Sequence, residues 1–132
     1  MVKVSSSRID MEDARIDQAI LKDYGETKTA PSISAGVLTL NLALGNVFEV
    51  SLNANITTLT ISNPSPTGNA CSFTLMFTAD GTARTVSWPA AVKWPGGTAP
   101  TLTSTSTKKD FFTFYTSDAG TNWYGFTAGQ NY

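Results

Sequence analysis

The sequence predicts a mainly β protein, an antiparallel β-sandwich of jelly-roll-like kind preceded by a short N-terminal helical arm. Two patterns carry that expectation. From residue 36 onward apolar residues alternate with small or polar ones, broken by turn signals, which is the pattern of strands with one face on a core. Charge is also segregated: residues 1–28 hold five of the nine Lys/Arg and six of the ten Asp/Glu, so the rest of the surface must be filled by Ser, Thr, Asn and Gly. Such a surface is cheap to cover with another protein, because few charges lose water when it is buried. A chain of 132 residues is the size of one core. The reading divides it into an arm, 1–35, and a β-domain, 36–132.

In the arm, Ser7 is a candidate N-cap with Asp10 three residues on, and Lys22 precedes Gly25 as a stop. The spacing predicts a helix of about 16 residues, marginal in water by itself. Its apolar stripe is Ile9, Ile16, Ala19 and Ile20, with Glu12 interrupting any coiled-coil seam. These residues, with Tyr24, are the candidate docking arm, which needs its own β-domain, a neighbouring copy or a larger partner to lean on. Residues 26–36 include Pro31 and small polar residues and read as an extended connector.

Within the β-domain, Leu38, Leu40, Leu42 and Leu44 predict a strand, and Gly45-Asn46 a turn into a second strand at Phe48, Val50 and Leu52. Leu59 and Ile61 mark a third, Phe73, Leu75 and Phe77 a fourth, and Val86 with Trp88 a fifth. Phe112 and Phe114 mark another, and Trp123 to Phe126 the last. Turns at Asp80-Gly81 and Asp118–Thr121 suggest a meander of hairpins. Trp88-Pro89 and Trp94-Pro95 bracket a stretch expected to be a rigid, irregular corner. Cys71 shares the parity of Phe73 and reads as a small core residue; being single, it can form no intrachain disulfide.

The chain contains no histidine, which removes His-based nucleophile systems and general bases and the commonest transition-metal ligand. The acids of the β-domain are Glu49, Asp80, Asp110 and Asp118, of which Asp80 and Asp118 are explained by turns. Glu49 and Asp110 are the remaining pair a glycosidase would have to bring together. No enzymatic activity, cofactor or metal is expected. The net charge of −1 without a basic cluster argues against nucleic acid, and no apolar run is long enough for a membrane span or a secretory leader. Trp88, Trp94, Trp123 and Tyr124 are candidates for an aromatic contact surface able to stack on sugar rings.

Several segments, in order, carry a family likeness: Tyr24-Gly-Glu-Thr-Lys28, Gly45-Asn-Val-Phe48, Asp80-Gly-Thr-Ala-Arg-Thr-Val-Ser-Trp-Pro89, Val92-Lys-Trp-Pro-Gly-Gly-Thr-Ala-Pro100 and Thr121-Asn-Trp-Tyr-Gly125. Over about residues 24–132 this order resembles a β-domain of small structural proteins of tailed bacteriophages, both capsid-associated and tail-fibre-like. The resemblance implies location in the virion, assembly as a homo-oligomer, expected to be a trimer, and a role in attachment or reinforcement. The leading expectation is a capsid decoration, or cement, protein bound to the major capsid protein shell. The alternative is a tail-fibre or receptor-binding protein that sits on tail proteins and contacts host surface glycans.

Overall fold

The computed structural model describes residues 3–132 as a mainly β chain. Met1 and Val2, the first two residues of the expected arm, lie outside the described residues. Ten strands follow one another: β1 (Lys3–Val4), β2 (Ile9–Asp10), β3 (Lys28–Thr29), β4 (Val37–Asn41), β5 (Val47–Leu52), β6 (Thr58–Ser62), β7 (Cys71–Ala79), β8 (Val92–Lys93), β9 (Lys109–Thr116) and β10 (Trp123–Gly129). They form a six-stranded sheet in the order β3-β5-β7-β9-β10-β8 and two two-stranded sheets, β4-β6 and β1-β2.

The pairing is mixed, which corrects the antiparallel expectation. β7-β9 and β9-β10 are antiparallel, whereas β3-β5, β5-β7, β4-β6 and β10-β8 are parallel. From β4 to β7 the chain passes back and forth between two sheets, so that β6 returns beside β4 and β7 beside β5. Parallel neighbours always need such a crossover, and here a strand of the other sheet supplies it instead of a helix. Successive turns align Leu38 with Leu59 and Phe48 with Leu75. Jelly-roll order, which is antiparallel throughout, is therefore not what the chain adopts. Among the described residues of the β-domain, only β9 and β10 form the kind of hairpin expected of a meander.

Local chemistry explains the departures. The leucine run stops at Asn41, whose Oδ1 accepts from the Ala43 amide at 3.0 Å and turns Leu42–Leu44 into a 3₁₀ turn, leaving Leu44 exposed. The same Oδ1 accepts from Asn63 Nδ2 at 2.7 Å, tying the end of β4 to the residue after β6. Gly45 does not reverse the chain: at φ 154° it passes against the Thr27 carbonyl, which then accepts from the Asn46 amide at 3.2 Å. The chain is thereby delivered to the opposite sheet beside β3. Val86 forms an isolated bridge to Ile56 in place of the strand expected over Val86 and Trp88.

Strand alternation otherwise follows the sequence. Leu38 and Leu40, Phe48, Val50 and Leu52, Leu59, Phe73, Leu75 and Phe77, and Phe112 and Phe114 are all buried in one cluster drawn from both larger sheets. Full burial of each such side chain is worth about 2 kcal/mol of transfer free energy. Phe73 stacks on Phe114 at 4.8 Å and meets Trp123 edge-on at 5.1 Å. Cys71 is half-buried against this cluster rather than within it.

No α-helix occurs among the described residues, so the expected arm helix is corrected. Lys3 pairs with Asp10 and Val4 with Ile9 across a turn in which Ser5 N–H donates to the Arg8 carbonyl at 2.7 Å. Ser7, the candidate N-cap, lies in that turn. Asp10 Oδ1 then accepts from the Glu12 amide at 3.0 Å, a local bond that competes with helix formation.

Candidate functional site

Two surfaces stand apart from the self-contained core. The first is the arm. Six of its charges pair at short range, Lys3 with Glu12, Arg8 with Asp10 and Arg15 with Asp17. The Lys3 ammonium beside Glu12 holds that carboxyl below its usual range. The apolar side chains are left outward: Ile9 is 65% exposed, Ile16 61%, Ile20 94% and Tyr24 67%, and Ala19 is exposed as well. Leu21, which the sequence reading passed over, is 67% exposed. No helix groups these residues into a stripe, so they form a string of separate apolar side chains on irregular backbone that bends through left-handed residues at Glu12, Asp13, Gln18 and Asp23. Asp13 to Arg15 border an open groove of about 830 Å³ whose other walls include Leu42, Asn63, Pro64 and Cys71.

The second surface is the outer face of the six-stranded sheet, where the expectation is partly corrected. Trp123 is buried, and Trp88 and Trp94 pack into the core. The two indoles meet edge-on at 5.0 Å, and both contact Phe112 and Phe114 on the inner face of β9. They close the core at the irregular corner, each partly buried against it. Trp94 Nε1 is buried there without a hydrogen-bond acceptor. Of the four residues expected to form a contact surface, only Tyr124 points outward.

The register gives Tyr124 different neighbours. Tyr115 lies directly across from it, Phe126 is two residues along β10, and Phe126 faces Thr113. Tyr115 is 41% exposed, Tyr124 49% and Phe126 51%. Phe111, on the same face of β9, carries the ring of Tyr132 at 5.7 Å. The sequence held a signal for this face: Phe111-Phe112-Thr-Phe114-Tyr115 has aromatics at both parities, and a strand with one buried face needs them at only one.

Each β-domain acid is engaged. Glu49 lies on the outer face of β5 and receives Lys28 Nζ at 2.9 Å. Asp110 lies on the inner face of β9, so the sheet separates the two carboxylates. Burial opposes ionisation of Asp110, but bonds from Thr103, Gln130 and Asn131 outweigh it and hold its carboxyl below the usual range. Asp80 is lowered by the paired Arg84 guanidinium, and Asp118 by the Asn122 amide and side chain. Among the described residues no group of three or more His, Cys, Asp or Glu is placed to hold a metal ion, and no helix is long and apolar enough to cross a membrane.

Fold and surfaces together define a β-rich protein with an uncovered apolar arm and an uncovered aromatic sheet face. The chain matches no protein-family model, no curated protein and no solved structure.

Proposed function

We propose that the protein is a non-enzymatic structural component of a phage virion, a capsid decoration protein that binds and reinforces the shell of major capsid protein. In this reading the two larger sheets are the layers of a sandwich-like body, and the arm is the grip. The observation that carries it is the exposure of Ile9, Ile16, Ile20, Leu21 and Tyr24 beside a core that is complete without them. Apolar side chains held at 61–94% exposure gain free energy only when something covers them. A repeated shell offers many equivalent partner sites, and linked copies gain avidity on such a lattice.

The test mixes purified protein with shells stripped of it and sediments the mixture. Retention on shells, lost on deletion of residues 1–25, supports the reading. A full-length chain that stays in the supernatant across salt and pH ends it.

A second reading, a tail-fibre or receptor-binding role toward host surface glycans, draws support from the exposed rings of Tyr115, Tyr124 and Phe126. Aromatic faces of this kind stack on sugar rings. Retention on a glycan array that is lost on replacing Tyr124 favours it, and an array without retention removes it.

A further inference from the structure

We propose that the outer face of the six-stranded sheet binds an acidic sugar chain, with a pyranose ring resting on Tyr124 and its carboxylate meeting Lys93. The inference rests on the glycan reading above and deepens it by naming the class of sugar.

The first argument is placement. Tyr124 stands on β10 between two partners at the same level of the sheet, Tyr115 on β9 and Lys93 on β8. Ser72 on β7 continues the row beyond Tyr115, and half-exposed Phe126 lies two residues along β10. Neighbouring strands run about 4.8 Å apart, close to the repeat of a linear hexose chain, about 5 Å, so successive sugars can lie on successive strands. The C–H face of a pyranose is apolar and packs on such rings. Its hydroxyls stay at the edge, where Ser72 and the tyrosine hydroxyls can donate and accept.

The second argument is charge. On the strands of this face the ionised groups are Lys28, Lys93, Lys109 and Glu49, three cations against one carboxylate, in a chain whose net charge is −1. Lys28 and Glu49 neutralise each other. Among the described residues no carboxylate pairs with Lys93 or Lys109. Lys93 Nζ donates to the Ala90 carbonyl at 2.7 Å, which anchors the ammonium at the edge of the sheet beside Tyr124. An ammonium has three donors, so two remain for a carboxylate. Lys109 lies at the opposite end of β9 from Tyr115.

Other anionic partners fit this arrangement less well. An acidic peptide that binds a sheet gains its hold by pairing its backbone with an edge, and β10 is already paired on both sides. A single nucleic-acid strand also stacks on aromatic rings, but it brings a phosphate with every base and needs a track of cations, whereas these rings have one strand lysine beside them. A sugar acid brings one carboxylate with one ring, the ratio that Lys93 and Tyr124 offer.

NMR titration of the isotope-labelled full-length chain tests this, with oligogalacturonate, a sialic acid oligomer and the methyl ester of each as uncharged control, over about 0.1–10 mM. At least one acid should shift the resonances of Tyr115, Tyr124 and Lys93, and the acid that does so identifies the source of the carboxylate. It should bind about threefold or more tightly than its own ester, the worth of one exposed charge pair. Lys93→Gln should abolish that difference, and Tyr124→Thr should weaken the acid by about tenfold or more. Lys93→Gln changes an exposed side chain and carries the test if the Tyr124 variant fails to fold. Acid and ester bound equally would overturn the acidic class and leave the glycan reading standing. No binding by any oligomer, an acid preference that survives Lys93→Gln, or tighter binding of a single-stranded oligonucleotide would overturn the inference outright, and the glycan array then decides the broader reading separately.

Discussion

The indole of Trp94 lies against Gly125, the one position on the inner face of β10 where a side chain is missing. A Cβ built at Gly125 would come within 2.8 Å of the ring. Gly125 is not among the residues with positive φ, so the requirement for glycine is steric. The corner expected from the two Trp-Pro pairs is thus keyed to the last hairpin through a single hydrogen atom.

Gly125→Ala should displace Trp94 and destabilise the chain by about 1–3 kcal/mol, the usual cost of forcing one extra carbon into a packed site. Denaturant unfolding at neutral pH measures it. A change below about 0.5 kcal/mol would mean that the indole can retreat freely.

Trp94→Phe and Trp94→Ala should differ sharply. The alanine change removes the lid over Phe112 and Phe114 and should cost about 3–5 kcal/mol. Phenylalanine keeps much of the packing and deletes a buried N–H that has no acceptor, so its cost should stay below about 2 kcal/mol. The same unfolding experiment, run on both variants, checks the ordering.

Asp110 fastens the C-terminal residues to β9, accepting from the Thr103 and Asn131 amides at 2.7 and 3.1 Å and from Gln130 Nε2 at 3.1 Å. Its carboxyl is held below its ordinary value in the folded chain. The stability this supplies is present in full above the unfolded pKa of about 3.9 and is lost as pH falls through the lower folded value. Asp110→Asn should therefore cost about 1–3 kcal/mol at pH 7, and the gap to wild type should narrow below about pH 4. Stability curves of both proteins between pH 2 and 7 settle the sign.

Removal of residues 1–25 should change the thermal midpoint by only about 1–2 °C, because none of the apolar side chains described between residues 3 and 25 belongs to the hydrophobic cluster or packs against it, Ile33 being the first that does. β3 and its Lys28–Glu49 pair remain in place in that variant. Calorimetry gives the midpoint, and a drop of ten degrees or more would place the arm in the fold's energetics.

Burial was legible in the sequence wherever alternation was regular. Phe73, Leu75 and Phe77 on β7, and Phe112 and Phe114 on β9, face the core as their parity demands. Pairing was not legible, because a half-buried strand shows the same period whether its neighbour is parallel or antiparallel. The crossover after Leu44 turns on Asn41 as a cap and on the close passage of Gly45 by Thr27, contacts between residues distant in sequence. The edge strand at Lys28–Thr29 pairs over two residues, too few to leave a periodic signal. In the arm, spacing suggested a helix, but local bonds at Ser5 and Asp10 hold its first residues in a small hairpin and turn. Trp88, Trp94 and Trp123 stood out by type, yet Trp88 and Trp94 pack against the core and Trp123 lies within it, which leaves Tyr124 alone of that group exposed. The doubled aromatics of β9 and β10 were the better guide.

The account rests on an arm that is bare in the free protein and covered on its partner. Amide hydrogen exchange, compared between free and shell-bound protein, tests this most directly. Residues 9–24 should exchange within seconds when free and slow by at least tenfold on the shell, while β7 and β9 stay protected in both. An arm already protected in the free chain, or one whose exchange is the same on the shell as off it, would contradict the account.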